Sequence, residues 1–305
     1  GEPGLSDRLI HYFPTQIRER FRTGVLNHQL GREIAATILT NEVVDRMGPT
    51  FVLNAADRSG HPPSTVAKAF AAAVDAFGIG ALYRRVEAQD GPGRFPVQAE
   101  MFAELMRLTR RATEWMLRRR GDRLDIAAVR DELTGPIHAL AENVREVVGP
   151  RATGRVTTRI DGWTALGADP ELASAIGWLD PLASAPDIVH MAADGGADLM
   201  DAARIYFGAG ERLRIGWCRN AARSLVVSTA WERLALDALL EDLYGHQAEI
   251  ARSALAAGGV EAWAESRKVG IERLERTLEE MAAADSLTLA MATVVNSMYR
   301  GLSAS

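Results

Sequence analysis

The sequence predicts an all-α protein with no significant sheet, and two observations support that prediction. Apolar residues recur at steps of three or four along most of the chain, which is the repeat of one face of an α-helix. Strand patterns are scarce, because the best candidate, residues 155–160, is short and has no partner strand. A multi-helical domain is therefore expected.

Four long helices are predicted from apolar stripes, each interpreted as core packing rather than as a cofactor-binding pattern. The last of the four is expected to begin after Ser286, which can cap it. The stripes are Val97, Met101, Leu105, Leu108, Ala112 and Met116; Leu236, Leu240, Leu243 and Ile250; Ile271, Leu274, Leu278 and Met281; and Leu287, Met291, Val294 and Met298.

The chain is predicted to have two helical halves, residues 1–150 and 169–305, joined by a linker at 151–168. Gly149, Pro150 and the strand-like residues 155–160 indicate that linker. The first half holds the first copy of a repeated unit and a long arginine-rich helix, and the second half holds the second copy and the terminal helices.

The repeated unit is predicted because residues 52–83 and 188–219 match without gaps at an offset of 136 residues. The shared pattern is that of a helix–turn–helix–helix unit, with glycine at the end of the first helix. Gly60 and Gly196 are expected to adopt the left-handed conformation there. Pro62 is expected at the first position of the next helix, and Asp198 is expected to cap its counterpart.

Composition limits the function classes. The net charge of −5 disfavours non-specific attraction to nucleic acid or to anionic lipid. With Cys218 as the single cysteine, an internal disulfide and a multi-cysteine metal site are both excluded. No signal peptide and no membrane-spanning run is visible. We therefore expect a cytoplasmic protein without nucleic-acid or membrane partners.

Two short patterns resemble known binding motifs only weakly. Residues 56–70 look like a DNA-reading helix–turn–helix, but Asp198 in the second copy would repel phosphate, so a structural corner is the favoured interpretation. Residues 78–83 lack the preceding strand of a dinucleotide fingerprint, and Tyr83 takes its third glycine position.

Two other candidate sites are interpreted without a bound ligand or a catalytic role. Asp242, His246 and Glu249 share one helix face and could present metal ligands, although a solvated face is favoured. Cys218 follows a tryptophan in an apolar context, which predicts a buried, unreactive thiol.

Arginines crowd the helix predicted around residues 107–120, and two interpretations stay open. The first is a solvated face with local ion pairs. The second is a contact surface for an acidic neighbouring domain or subunit, formed by Arg107, Arg111 and Arg118, because the planar guanidinium suits such pairing.

Several runs resemble the C-terminal helical region of the large bacterial NAD-dependent glutamate dehydrogenases. The resemblance covers nearly the whole chain and is most specific between Glu33 and Val52, with one departure, Gly31, where arginine is expected. The runs are Tyr12-Phe13-Pro14, Arg32-Glu33-Ile34-Ala35-Ala36-Thr37, Asn41-Glu42, Met47-Gly48-Pro49-Thr50-Phe51-Val52, Leu124-Asp125-Ile126-Ala127, Asp187-Ile188-Val189 and Asp242-Leu243-Tyr244.

The resemblance implies a parent enzyme that oxidises L-glutamate to 2-oxoglutarate and ammonia with NAD, at a catalytic domain outside this sequence. No catalytic, cofactor-binding or metal-binding residue carries over to this segment. Its expected partners are the catalytic domain of the same polypeptide and other protomers. Three hypotheses stay open: a non-catalytic domain for assembly or regulation, a small-molecule sensor, and a nucleic-acid-binding helical protein.

Overall fold

A computed structural model of the chain describes residues 3–89 and 95–303. It is 84% helical, and the described residues contain no strand, which confirms the predicted fold class. Short 3-10 turns occur at Pro3–Leu5 and Gly121–Arg123. The α-helices are α1 (Ser6–Tyr12), α2 (Thr15–Arg20), α3 (Arg22–Leu26), α4 (Gly31–Met47), α5 (Phe51–Ser59), α6 (Pro63–Ala76), α7 (Ile79–Glu87), α8 (Phe95–Arg120), α9 (Ile126–Val147), α10 (Pro150–Ala165), α11 (Pro170–Gly177), α12 (Leu179–Leu182), α13 (Ala185–Gly195), α14 (Leu199–Arg212), α15 (Ile215–Arg223), α16 (Ala230–Ala256), α17 (Val260–Ser266), α18 (Lys268–Ala283) and α19 (Leu289–Ser303).

The helices form two units. The first consists of Gly1–Ala141 and Arg159–Pro186, and the second of Glu142–Thr158 and Asp187–Ser305. The predicted halves at 1–150 and 169–305 stay a prediction.

The stretch predicted as a linker is helical, since α10 runs from Pro150 to Ala165. Its strand-like threonines turn their hydroxyls onto the helix backbone, with Thr157 donating to Thr153 O and Thr158 to Gly154 O. Val156 and Trp163 on the same helix are buried. Burial of these apolar side chains outweighs the weak helix propensity of the β-branched run.

In the first unit, helix α8 lies at the centre and packs against α5, α6, α7, α11 and α12. All six residues of its predicted stripe are buried, as expected for a core helix. The run Ala69–Ala73 of α6 is fully buried, and its small side chains let α6 approach α8 closely.

In the second unit, helix α16 packs against α14, α15, α17 and α19. A capping box fixes its start: the Thr229 hydroxyl accepts from the Glu232 N–H, and the Glu232 carboxylate accepts from the Thr229 N–H. The apolar core of this unit includes Leu243, Trp263 and Tyr299.

The two segments predicted as copies have matching helix bounds at the offset of 136 residues. Adding 136 to the first and last residue numbers of α6 gives those of α14, and the same is true of α7 and α15. Gly60 and Gly196 both have positive φ, 72° and 61°, which confirms the left-handed expectation. The superposition of the two segments stays a prediction.

Of three predicted helix starts, one is confirmed and two are corrected. Asp198 caps α14 as predicted, because its carboxylate accepts the N–H groups of Met200 and Asp201. Helix α6 begins at Pro63, so Pro62 is its cap rather than its first residue. At α19 the cap is Thr288, whose hydroxyl accepts from Met291, and not Ser286.

The predicted stripe of the last helix is partly right. Leu287, Met291 and Met298 are partly buried and pack against the core, but Val294 is 55% exposed. The fully buried face of α19 lies one position later, at Ala292, Val295, Tyr299 and Leu302. By contrast, the predicted stripe of α18 is buried in full.

No single helix among residues 3–89 and 95–303 is long and apolar enough to cross a membrane. Helices α6 and α7 reach that length and composition only as a pair bent by 75°.

Candidate functional site

A pocket of about 490 Å³ in the second unit is lined by seven charged side chains. It is lined by the start of α10, the outer face of α14, the corner between α14 and α15, and single residues of α17 and α18. Its charged residues are Arg151, Arg204, Arg212, Arg214, Glu211, Glu261 and Glu275.

Most of these charges are paired. Arg151 lies 3.5 Å from the Glu211 carboxylate and also donates to the Glu211 carbonyl at 3.2 Å. Arg212 pairs with Glu275, and Arg204 with Asp201. These pairs fix the walls of the pocket rather than leaving charge for a ligand.

Glycine at position 149 is what allows the Arg151–Glu211 contact. A Cβ at Gly149 would come within 2.8 Å of the Glu211 carboxylate. A larger residue there would therefore displace the end of the Glu211 side chain, which pairs with Arg151.

Arg214 and Glu261 are the two charges of the lining with no ion pair among the described residues. Arg214 is half-buried, with its guanidinium 5.2 Å from the centroid of the Trp217 ring. Glu261 is exposed in the first turn of α17. One unpaired positive and one unpaired negative group thus line the same pocket.

The backbone of Arg214 is unusual. With φ of 56°, it is the one non-glycine residue of positive φ in the described part of the chain. For an L-residue other than glycine this conformation costs roughly 1–2 kcal/mol. The residue 136 positions earlier is Gly78, which has φ of 61° at the same helix corner and bears no such cost.

A second network holds α14 and α15 against α16. Gln247 donates to the Tyr206 carbonyl at 3.0 Å and accepts from Arg219 at 2.7 Å, and Arg219 lies over the ring of Tyr244 at 4.3 Å. A Cβ at Gly210 would meet Gln247, so glycine is required for this close contact. These contacts therefore hold α14, which forms one wall of the pocket, against α16.

The three arginines predicted as a contact surface on α8 do not share one environment. Arg118 is exposed, and Arg107 is half-exposed beside Glu104 at 2.5 Å. Arg111 is only 6% exposed. It therefore lies in the interior of the first unit, and a contact role for the three arginines stays a prediction.

Glu104 is itself buried, and it lies between Arg107 and Arg159. Arg159 also donates to the Gly177 carbonyl at 3.0 Å. Removing the carboxylate would leave a partly buried guanidinium without its counter-charge, which is a costly change. This ion network is structural and ties α8, α10 and α11 together within the first unit.

The candidate metal ligands on α16 have separate partners. Asp242 accepts from Asn296 at 2.9 Å, His246 lies 3.2 Å from the Ser303 hydroxyl, and Glu249 is exposed. Burial lowers the pKa of His246. The described residues contain no group of three ligands placed for a metal ion.

Cys218 is buried, as predicted. Its sulfur lies 3.1 Å from the Tyr299 hydroxyl, and burial raises the pKa of the thiol to about 11. Near neutral pH the thiol is therefore protonated and a poor nucleophile.

The two motif-like segments form helix corners of the first unit. At the start of α6, Thr65 is buried and bonds to Asp122. At the α6–α7 corner, Tyr83 is buried and stacks on Phe102 at 5.5 Å. These side chains serve packing, and a helix rather than a strand precedes residues 78–83.

Exposed apolar side chains concentrate in the first helices. Of fourteen large hydrophobic residues exposed in the described chain, five fall between residues 12 and 30. We call this set the amino-terminal apolar surface: Tyr12 (60% exposed), Ile17 (42%), Phe21 (60%), Leu26 (41%) and Leu30 (57%). Helices α1, α2 and α3, which carry most of it, contact one another. Large exposed apolar patches mark interaction surfaces more often than scattered single residues do.

Sequence reasoning missed both the pocket and this surface. One signal for the pocket was available, since the predicted repeat aligns Arg214 with Gly78. The exposure of Tyr12 or Phe21 had no such signal, because apolar composition alone does not distinguish a core face from a contact face.

Comparison with known proteins gives consistent matches over the full length of the chain. The family model described as "Glutamate dehydrogenase, C-terminal" matches residues 1–300. The NAD-specific glutamate dehydrogenase of Pseudomonas aeruginosa is 30% identical over 292 residues, which cover 93% of this chain and 18% of that protein.

Two further NAD-specific glutamate dehydrogenases are similar. That of Halomonas elongata is 28% identical over 297 residues, covering 92% of this chain and 18% of the relative. That of Mycobacterium tuberculosis is 27% identical over 304 residues, covering 97% of this chain and 19% of the relative. The chain therefore spans about a fifth of the length of the curated relatives it matches.

Proposed function

The chain belongs to the glutamate dehydrogenase C-terminal family, and from that premise we propose that it is a non-catalytic helical domain that docks on the remainder of a large NAD-dependent glutamate dehydrogenase. Docking would support assembly or regulation of that enzyme. The parent would oxidise L-glutamate to 2-oxoglutarate and ammonia, with NAD bound in its catalytic domain. We propose a cytoplasmic location, which agrees with the free thiol of Cys218.

The amino-terminal apolar surface is the observation that carries this proposal. Aromatic and large aliphatic side chains that are 41–60% exposed leave apolar area in contact with water. Covering that area would stabilise the protein by roughly 25 cal/mol per Å². Such a surface is expected where another protein surface covers it. The relatives are about five times longer than this chain, so the same polypeptide supplies a candidate covering surface.

The proposal is tested in the full-length dehydrogenase by replacing three surface residues together: Tyr12→Ser, Phe21→Ser and Leu30→Ser. All three side chains are exposed, so the helices should fold as before. We expect a lower oligomer mass or a lower kcat/KM, measured by light scattering and by steady-state kinetics.

The control carries Val226→Ser, Trp231→Ser and Val269→Ser, three apolar residues of the second unit that are still more exposed, at 81–95%. It should keep both the mass and the kinetics of the unsubstituted enzyme. A surface variant that behaves like the control rejects docking through residues 12–30.

We further propose that the 305-residue chain binds no NAD itself. Its glycine corners join helix to helix, whereas dinucleotide sites of the strand–turn–helix type need a strand before the turn. Calorimetric titration of the chain with NAD should give only heats of dilution. A saturable isotherm would show that this part of the proposal is wrong.

A further inference from the structure

We propose that the pocket of the second unit binds a small zwitterionic ligand, whose carboxylate pairs with Arg214 and whose ammonium group pairs with Glu261. This goes beyond the docking role, since the pocket is formed by helices of the second unit and the amino-terminal apolar surface by helices of the first. The pocket volume of about 490 Å³ lies within the usual range for small-molecule sites.

The charge balance of the lining selects this ligand class. Arg151 and Arg212 are each paired with a glutamate of the pocket, and Arg204 is paired with Asp201. Arg214 and Glu261 are the remaining charges, one of each sign. A ligand with both charges would pair both groups, whereas a simple anion would leave Glu261 facing it.

The geometry of Arg214 supports a binding role. The guanidinium can hold a carboxylate through two parallel N–H donors, and its contact with the Trp217 ring restricts its orientation. The residue keeps a strained left-handed backbone at a corner where the first copy has Gly78. Strain of this kind persists where the side chain is needed, and it clusters at ligand sites.

The three glutamates argue against a polyanion. Four arginines and three glutamates give the lining a net charge of only about +1, and Glu261, which has no ion pair, would repel a phosphate ester. Inorganic phosphate should therefore bind more weakly than a zwitterion of similar size.

The test uses the 305-residue chain and three matched pairs of probes: glycine and acetate, β-alanine and propionate, and 4-aminobutyrate and butyrate. Each pair differs by one ammonium group, and the series varies the spacing between the charges. Binding is followed through the backbone amide signals of Gly149 and Gly208, which line the pocket. We expect saturable shifts with a millimolar Kd, and in at least one pair the zwitterion should bind at least about fivefold more tightly.

Variants assign the two contacts. Glu261→Gln should remove the preference for the zwitterion while leaving the weaker binding of the carboxylate. Arg214→Gly should abolish binding of both probes, and it relieves backbone strain, so the chain should remain folded. Arg276→Gln, which removes an exposed arginine of α18 outside the pocket, is the matched control and should bind as the unsubstituted chain does.

Three results would overturn the inference. They are equal affinity within every probe pair, tighter binding of inorganic phosphate than of any zwitterion, and unchanged binding by Arg214→Gly. None of them bears on docking through residues 12–30, so this inference and the proposed function fail independently.

Discussion

The segment α5–α7 and the segment α13–α15 follow the same helix plan but present different surfaces. In the first, the middle helix α6 buries nine of its fourteen residues. In the second, the middle helix α14 buries five of fourteen, and its outer face lines a charged pocket. Helices of matching bounds thus form part of the core in the first unit and a pocket wall in the second.

The corner after the middle helix shows the difference at a single residue. Both corners need a left-handed residue, and the first copy meets that need with Gly78, which is free of strain. The second uses Arg214 and places a guanidinium in the pocket. A side chain kept at a conformational cost is a better indicator of function than a side chain in a relaxed helix.

The largest expected effect tests whether both middle helices are equally anchored. Phe70 and Tyr206 occupy matching positions, and each is fully buried. Phe70→Ala and Tyr206→Ala should each lower the free energy of unfolding by about 3–5 kcal/mol, because each leaves a large cavity. Urea denaturation of the chain measures both, and a cost below about 1 kcal/mol at either site would show that the two middle helices are not equally anchored.

Exchanging glycine and arginine at the two helix corners should change the free energy of unfolding less, and in opposite directions. Gly78→Arg should destabilise the chain by about 1–2 kcal/mol, because a side chain is then forced into the left-handed region. Arg214→Gly should be neutral or stabilising by up to about 1 kcal/mol. Thermal unfolding followed by circular dichroism gives both values. A loss of stability in Arg214→Gly would show that the arginine serves folding rather than binding.

The caps of the two middle helices should differ by about 1 kcal/mol. Asp198→Ala removes a carboxylate that accepts two backbone N–H groups and should cost about 1 kcal/mol. Pro62→Ala should cost less, since Pro62 makes no side-chain cap bond. Equal costs in denaturant unfolding would argue against a capping role for Asp198.

The smallest effect is expected for the exposed arginines of α8. Arg118→Gln should change the stability of the chain by no more than about 0.5 kcal/mol, because its side chain reaches solvent. Arg107→Gln should cost up to about 1 kcal/mol, because Arg107 pairs with the buried Glu104, which keeps Arg159 as its other partner. Arg111 is left in place because it is buried. If the double variant changed the oligomer mass of the full-length dehydrogenase, α8 would be a contact surface rather than a solvated face.

The sequence predicts the helices well where only one apolar stripe is possible. In α18 a single stripe is flanked by charged residues, and it is buried as predicted. In α8 the predicted stripe is buried too, together with further residues such as Trp115 and Leu117. In α19, apolar residues form two neighbouring stripes of the same spacing, so periodicity could not tell Val294 from Val295. The choice between them depends on packing against α16, which is not encoded locally.

Residues 155–160 looked strand-like because their β-branched side chains favour extended structure locally, while burial of Val156 and Trp163 favours the helix.

The functional surfaces were harder to predict than the helices. The pocket joins residues from α10, α14, α17 and α18 that are distant in sequence. No local pattern brings Arg214 and Glu261 together; only the tertiary packing of the second unit does.

Hydrogen–deuterium exchange tests docking most directly. The backbone amides of residues 6–30 would be compared between the 305-residue chain and the full-length dehydrogenase at equal pH and temperature. We expect exchange in α1–α3 to slow at least about tenfold in the full-length enzyme, while α16, which lies in the core of the second unit, exchanges alike in both. Equal exchange of α1–α3 in the two proteins would contradict docking through the amino-terminal apolar surface.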